Sequence, residues 1–286
     1  MALRSLLVPV SGHAADKVTL GVARLLSQKF GAHIAALCIR PDPVDLIRNV
    51  AEWSSPALTE DMVATTQRHS TNLRRDARKM FEQWRTTHRL RLAGESGARK
   101  VADVSWRDEI GEAGAVLADA ARFADLVVMR GLGEHGPVEA DAMFESVLFG
   151  AGRPALLTPR TLPKSFFGTA MIAWSGEREE THALTASLPI LAAMKRVEIR
   201  TIGDYPEAKP AALLAYLAHH GIAAKAARIR RGSGSTAELL MAEAGRLKAD
   251  LLVMGGYHRS RAREAVFGGT TRHIVTRLEI PVLLAH

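Results

Sequence analysis

The sequence contains two copies of one strand–helix–strand pattern, and this repeat constrains the fold more than any other feature. Each copy starts with an apolar strand, passes through a Ser-Gly turn and an amphipathic helix, and reaches a second apolar strand. Three pairs of segments match in the same order: the Ser-Gly turns at 11–12 and 175–176, FADLVVMRG at 123–131 with KADLLVMGG at 248–256, and the prolines at 154 and 281. The repeat predicts two tandem domains, residues 1–160 and 165–286, joined near the proline-containing segment 159–168.

The apolar strands of both copies predict the class of fold. LLVPV, DLVVM, AMIAW and DLLVM are continuous apolar runs without polar alternation, which is typical of strands that are covered on both faces. The sequence therefore predicts an α/β fold with a five-stranded parallel sheet in each domain, flanked by helices. The first copy carries extra residues, about 41–97, in which apolar positions from Met62 to Trp84 follow helical spacing and predict a long helix.

The composition of the chain indicates which kinds of partner the protein binds and in which cellular compartment it is found. The net charge of +8 favours anionic partners, but aromatic residues make up only 5% of the chain and offer little surface for stacking bases. We therefore do not expect a nucleic acid partner. The single cysteine, Cys38, allows no intramolecular disulfide and is expected to be a buried apolar residue. No apolar run is long enough to span a bilayer, and the N-terminus lacks the apolar region of a signal peptide, so we expect a cytoplasmic protein without a membrane partner.

Two glycine pairs flank an arginine-rich segment in the second copy. The strand at 250–254 ends at the glycines 255–256, and the glycines 268–269 lead into the threonines 270–271 at the start of a helix. Glycine lets a backbone approach a ligand closely, and the N–H groups at a helix N-terminus suit a phosphate. The pattern predicts an anion site, to which Arg259 adds positive charge. The alternative is a surface loop whose glycines only begin a helix.

Other motifs predict no further chemistry. GSGSTA at 232–237 fits a dinucleotide fingerprint poorly, because no acid follows at the required distance. Ser235 and Glu238 predict a capping box at this position instead. The sequence contains no P-loop, HExxH or G-x-S-x-G motif, so neither a catalytic nor a metal-binding set is predicted.

Over nearly its whole length, the chain resembles a tandem universal stress protein of the UspA superfamily, whose domains are adenine nucleotide alpha hydrolase-like and Rossmann-type. The resemblance is carried by the two strand–helix–strand units and by the glycine-bounded segment before the PVLL strand. Nucleotide-binding members of that family follow the pattern G-x2-G-x9-G-[S/T]. Gly255 and Gly268 take its first and third positions, His258 replaces the second glycine, and Gly269 takes the Ser/Thr position, with Thr270 beside it.

The chain departs from the family pattern at other positions. Members that bind ATP have an aspartate after the first strand, where this chain has Ser11 and Ser175. A serine can cap the following helix, but it carries no charge with which to hold a metal or a ribose. In the first copy, residues 141–144 align with residues 268–271, and they replace the glycines and threonines with Asp-Ala-Met-Phe. The N-terminal domain is therefore predicted to be a degenerate, mainly structural partner.

The resemblance also implies where a nucleotide would bind. Adenine would lie near the strand ends of the second copy, and the phosphates would lie on the glycine pairs. The cofactor-binding residues predicted in this way are Ala173, Trp174, Ser175, Gly176, Ile202, Gly255, Gly256, His258, Arg259, Gly268, Gly269, Thr270 and Thr271. The resemblance further implies that the last strands, PALLT and PVLLA, pair in an internal pseudo-dimer. The exposed edge of such strands favours pairing, and a further homodimer is expected.

The first hypothesis for function is a non-enzymatic stress-response or regulatory protein that binds ATP or another adenine nucleotide in its C-terminal domain, with the involvement of Mg²⁺ left open. The second is a protein of the same family that binds no nucleotide and acts through protein–protein association. The missing aspartates and His258 favour the second hypothesis. Three glutamates after Ser175 suit the dipole of the following helix but would repel a triphosphate that came close: Glu177, Glu179 and Glu180. A third hypothesis, an adenylyl-transferring enzyme, lacks visible catalytic residues. A role in nucleic acid binding has only the net charge to support it.

Overall fold

The structure of the chain is a computed structural model, and it describes residues 2–44, 56–93, 103–133, 138–203, 209–256 and 269–286. The chain forms two compact units. The N-terminal unit contains residues 4–128 and 138–151, and the C-terminal unit contains residues 1–3, 129–137 and 152–286. The domain limits of 1–160 and 165–286 remain a prediction.

The N-terminal unit is built on parallel strands. Its elements, in chain order, are β1 (Ser5–Pro9), α1 (Asp16–Phe30), β2 (His33–Arg40), α2 (Pro56–Thr87), β3 (Arg91–Leu92), β4 (Asp103–Ile110), α3 (Ala113–Ala121), the start of β5 (Leu126–Arg130), α4 (Val138–Glu145) and a π-helical turn, Ser146–Gly150. The strands lie in the order β3-β4-β2-β1-β5. The pairs β1–β2, β1–β5, β2–β4 and β3–β4 are all parallel.

The C-terminal unit repeats this parallel arrangement. Its remaining elements are β6 (Ala155–Thr158), β7 (Thr169–Ala173), α5 (Arg178–Leu191), β8 (Arg196–Ile202), α6 (Pro210–His219), β9 (Ala224–Ile229), α7 (Thr236–Leu247), β10 (Leu251–Gly255), α8 (Gly269–Thr276) and β11 (Val282–Ala285). The strands lie in the order β6-β11-β10-β7-β8-β9. Strands β11 to β9 are parallel, whereas β6 and β11 pair in antiparallel orientation. These are the two strands that the sequence predicts to meet. The α/β fold with mostly parallel strands and flanking helices is thus confirmed.

An equivalent aspartate anchors the first strand of each repeat. The Asp125 carboxylate accepts hydrogen bonds from the backbone N–H groups of Arg4 and Ser5, at 2.7 and 2.9 Å. The Asp250 carboxylate accepts one from the backbone N–H of Thr169, at 2.6 Å. Asp125 and Asp250 occupy equivalent positions in the matching segments FADLVV and KADLLV. The repeat therefore extends from the sequence to the hydrogen bonds that hold each sheet.

The long helix α2 packs by one face, as its spacing predicts. Ala77, Met80, Phe81 and Trp84 are buried. The rings of Phe81 and Trp106 lie 5.3 Å apart, which places this face of the helix against β4. The apolar positions recur at helical spacing because only one side of the helix contacts the sheet.

Cys38 is fully buried in β2, which confirms the predicted apolar role. Burial, together with the nearby Asp108 carboxylate, raises the pKa of its thiol to about 12. Because the thiolate is the reactive form, we expect the folded protein to show no reaction with Ellman's reagent at mildly alkaline pH. In guanidinium chloride, one thiol per chain should react. Rapid reaction of Cys38 with the reagent in the folded protein would contradict its burial in β2.

Candidate functional site

A cleft of about 440 Å³ lies in the C-terminal unit, at the carboxyl ends of β7, β8 and β10. In parallel sheets, this is the edge at which ligands bind. The start of α8 forms another part of its wall. The residues that line the cleft are Ala173, Trp174, Ser175, Glu177, Glu179, Glu180, Arg200, Ile202, Arg231, Thr236, Leu240, Met254, Gly255, Thr270 and Thr271.

The apolar part of the cleft is formed by the ends of three strands. Ala173 ends β7, Ile202 ends β8 and Met254 lies near the end of β10, and all three side chains are buried. Trp174 follows Ala173 and is half-buried. These apolar side chains and the neighbouring indole ring form a wall that suits a flat ring, while the neighbouring polar groups can fix its orientation.

Glu180 holds the turn between β7 and α5 in place. Its carboxylate accepts hydrogen bonds from the backbone N–H groups of Ser175 and Gly176, at 2.6 and 2.9 Å, and from the Ser175 hydroxyl at 2.8 Å. A further backbone N–H, that of Glu177, donates at 3.2 Å. Burial raises the pKa of the Glu180 carboxyl, although these hydrogen bonds act in the opposite direction. The turn is therefore built around an acidic side chain that also faces the cleft.

Neither Ser11 nor Ser175 is the N-cap of the helix that follows it. The N-cap of α5 is Glu177, which forms a capping box with Glu180, and the N-cap of α1 is Ala15. The N-terminal unit repeats the same acidic turn, because Asp16 accepts hydrogen bonds from the backbone N–H groups of Ser11 and Gly12, at 2.7 and 2.8 Å. In both copies, an acidic residue five positions after the serine accepts hydrogen bonds from the backbone N–H groups of the turn. This spacing is visible in the sequence and could have identified Glu180.

The packing around Gly255 requires a glycine whether or not a ligand binds. Its φ does not lie in the left-handed region. A Cβ added at this position would lie 2.7 Å from the backbone nitrogen of Glu180 and 3.0 Å from the carbonyl carbon of Glu179. The residue therefore allows β10 to approach the first turn of α5. The backbone N–H of Gly256 donates a hydrogen bond to the carbonyl oxygen of Ala285, at 2.9 Å. This N–H group therefore already has a partner within the protein.

The start of α8 brings two predicted residues to the cleft. Thr270 and Thr271 both line it, and Thr271 is buried. Gly269 is the first residue of α8 and is exposed, but it does not line the cleft. The positive end of a helix dipole favours an anion at this position.

Apart from Gly269, the predicted site residues fall into three groups. Seven of them share the cleft: Ala173, Trp174, Ser175, Ile202, Gly255, Thr270 and Thr271. Gly176 and Gly256 lie beside it in the turn and the strand end. His258, Arg259 and Gly268 lie outside the described residues.

Two arginines that the sequence-based reasoning did not single out also line the cleft. Arg200 is buried, and its guanidinium is 2.9 Å from Glu198 and 2.6 Å from Glu243. A hydrogen bond from Arg246, with a further one from Arg200, lowers the pKa of Glu243 to about 2. The charge of Arg200 is therefore balanced within the protein. Arg231, by contrast, is exposed, and its charge is accessible at the cleft.

The corresponding positions of the first repeat differ. Asp141 and Phe144 lie in α4, and Phe144 is fully buried. A buried phenylalanine at this position packs in the core instead of meeting a ligand. Within the described parts of the chain, no group of three or more His, Cys, Asp or Glu residues could hold a metal ion. Among the same residues, no helix is both long and apolar enough to cross a bilayer.

Comparisons with known proteins agree with the fold. The model of the universal stress protein family matches residues 172–286. A universal stress protein from Archaeoglobus fulgidus is 11% identical with a TM-score of 0.64, over 98% of this chain and 95% of its own. A putative universal stress protein from Pseudomonas aeruginosa is 16% identical with a TM-score of 0.58, over 99% of this chain and 93% of its own. At these identities the structural likeness shows the fold alone. No protein of curated function matches the sequence.

Proposed function

The model of the universal stress protein family matches residues 172–286, and on that basis we propose that the C-terminal unit binds ATP or another adenine nucleotide in its cleft. The observation that carries this proposal is the joining of an apolar wall at the strand ends to the first turn of α8. The base would lie against Ala173, Trp174 and Ile202. The phosphates would extend towards Thr270 and Thr271, where hydroxyl donors and the helix dipole favour negative charge.

We propose a regulatory role for such binding rather than turnover. A bound nucleotide would stabilise the strand ends and the start of α8 in one arrangement, and this arrangement would differ in its affinity for protein partners. The cytoplasmic location, the homodimer and the internal pseudo-dimer remain predictions from the sequence.

A second candidate function follows from the acidic residues of the cleft. Glu177, Glu179 and Glu180 all line it, and carboxylates would repel a triphosphate that came close. In that case the unit binds no nucleotide and acts through protein association alone. The two candidates differ in one measurable property, which is whether an adenine nucleotide stabilises the folded protein.

We expect millimolar ATP to raise the melting temperature of the purified protein, because a ligand that binds only the native state stabilises it by ~2.7 kcal/mol at a hundredfold excess over its Kd. Thr270→Glu should abolish this rise. The new carboxylate lies in the cleft wall, yet in the first turn of α8 it favours the helix dipole and leaves the fold intact. Thr185→Glu, at an exposed position of α5, is the control with the same change of charge.

The same assay in adenosine, AMP and ATP measures the contribution of the phosphates. If they bind at α8, AMP and ATP should stabilise the protein more than adenosine does, and Thr270→Glu should remove that difference. An unchanged melting temperature in every nucleotide, for protein freed of carried-over ligand, would refute the first candidate and leave protein association.

A further inference from the structure

Three side chains on the N-terminal unit form an acid–imidazole–hydroxyl chain. The Nδ1 atom of His33 lies 2.7 Å from the Asp103 carboxylate, and its Nε2 atom lies 2.8 Å from the Ser105 hydroxyl. Both ring nitrogens therefore have a partner, the acid on one side and the hydroxyl on the other. This order is the one in which a histidine removes a proton from a serine during nucleophilic catalysis.

The sheet itself sets this geometry. β2 and β4 are parallel neighbours, with Ile34 opposite Val104 and Ala35 opposite Ser105. His33 precedes Ile34, so its side chain lies on the same face as Asp103 and Ser105, which are two residues apart on β4. The imidazole thus lies at the amino ends of two paired strands, where the backbone of both is fixed by the ladder. Positions held by strands are set more closely than positions held by loops.

The Asp103 carboxylate fixes which nitrogen of His33 carries the proton. An ionised carboxylate can only accept a hydrogen bond, so the neutral imidazole donates from Nδ1. Nε2 then has an unprotonated lone pair and accepts the hydrogen bond from the Ser105 hydroxyl. This is the tautomer that a general base requires.

Solvent reaches this chain of groups. The side chains of His33 and Asp103 are 30% and 41% exposed, and Ser105 is half-buried. Arg91, an exposed residue of β3, is paired in register with Asp103 and brings a positive charge to the same row. A small molecule can therefore approach this group of side chains from solvent, and Arg91 places a cationic residue on the neighbouring strand.

We propose that Ser105 is a nucleophile, activated by His33 and Asp103, that cleaves small activated carboxylic esters. The Ser105 Oγ forms a bond to the acyl carbon while its proton passes to His33 Nε2. The bond from the acyl carbon to the leaving oxygen then breaks, and the leaving group takes the proton as an alcohol. Water attacks the acyl-Ser105 ester in the same way, releases the carboxylic acid and restores the hydroxyl. This activity is separate from the nucleotide cleft of the C-terminal unit.

The test uses p-nitrophenyl acetate for rates and diisopropyl fluorophosphate for labelling. In the labelling reaction, Ser105 Oγ bonds to phosphorus, fluoride leaves, and the serine proton is taken up by His33. We expect a single label, mapped to Ser105 by mass spectrometry. Ser105→Ala should lower the protein-dependent rate of ester hydrolysis at least ~10-fold, because a positioned general base contributes ~10²–10⁴-fold.

Two further variants separate catalysis from structure. Asp103→Asn keeps the shape of the side chain but lets the amide donate to Nδ1, which moves the proton to Nε2 and removes the base. It should lower the rate as far as His33→Gln does, with both proteins still folded by circular dichroism. Ser5→Ala is the matched control, since Ser5 lies opposite His33 on β1 and should leave labelling and rate unchanged.

Two results would overturn the proposal. One is a folded wild-type protein in which Ser105 takes up no label. The other is labelling of Ser105 at the same rate in His33→Gln as in the wild type, because the reactivity of the hydroxyl would then not depend on the imidazole. Neither result depends on whether the C-terminal unit binds a nucleotide.

Discussion

Arg200→Leu should lower the free energy of unfolding by about 3–5 kcal/mol, which is the usual cost of removing one partner from a buried ion pair. The Arg200 side chain is 5% exposed and lies between the carboxylates of Glu198 and Glu243, which are 8% and 13% exposed. Leucine would leave both carboxylates in the interior without this cation. Urea unfolding of the two proteins, followed by circular dichroism, measures the difference.

An ion pair on the surface provides the control for the loss of stability expected in Arg200→Leu. Arg122 and Asp119 form an ion pair in which both side chains are more than half exposed. Arg122→Leu should therefore change the unfolding free energy by only about 0–1 kcal/mol. In Arg200→Leu, a second substitution, Glu198→Leu, should recover part of the loss because it removes an unpaired charge. Equal losses for the two arginines would show that the Arg200 network is not buried in solution.

Acidification gives an independent measurement of the same network. The pKa of Glu243 is lowered in the folded protein from 4.5 to about 2, first by Arg246 and then by Arg200. A lowered folded pKa contributes stability that is fully present above the unfolded pKa. That contribution is lost as the pH falls from 4.5 to about 2. The difference in stability between wild type and Glu243→Gln should therefore shrink over this interval.

The repeat and the apolar runs were sufficient to predict the class of fold. LLVPV and DLLVM became β1 and β10 because strands that are covered on both faces have no polar alternation to preserve. The helical spacing of residues 62–84 likewise predicted α2, since one face of that helix packs against β4. These features depend on local patterns, which a single sequence displays directly.

The cleft could be predicted only in part, because its polar groups depend on contacts between distant segments. Arg200 lies 43 residues from Glu243 along the chain, and only the tertiary fold brings this strand residue and the α7 residue together. Its one local signal was the alternation of the charged residues Arg196, Glu198 and Arg200 with Val197 and Ile199, which places the charges on one face of the sheet. Glu180 had a clearer signal in its spacing from Ser175, which the first repeat shares.

Gly255→Ala should destabilise the nucleotide-free protein by ~1–3 kcal/mol, as overpacking of a tight contact does. The new Cβ would lie 2.7 Å from the backbone nitrogen of Glu180, and backbone in a helical first turn cannot move aside as a flexible side chain can. The φ of Gly255 is not in the left-handed region, so the expected loss is steric. Thermal and urea unfolding without nucleotide provide the measurement.

Gly245→Ala is the matched control, and it should change stability in the opposite direction. Gly245 lies inside α7, and a Cβ added there would have no atom within 4 Å. Alanine at such a position should stabilise the protein by ~0.5–1 kcal/mol, because it restricts the unfolded chain. If Gly255→Ala instead kept full stability and lost only nucleotide affinity, the glycine would serve the ligand, as the sequence motif suggests. A loss of stability without any ligand would show that Gly255 is required for β10 to pack against α5, whether or not a nucleotide binds.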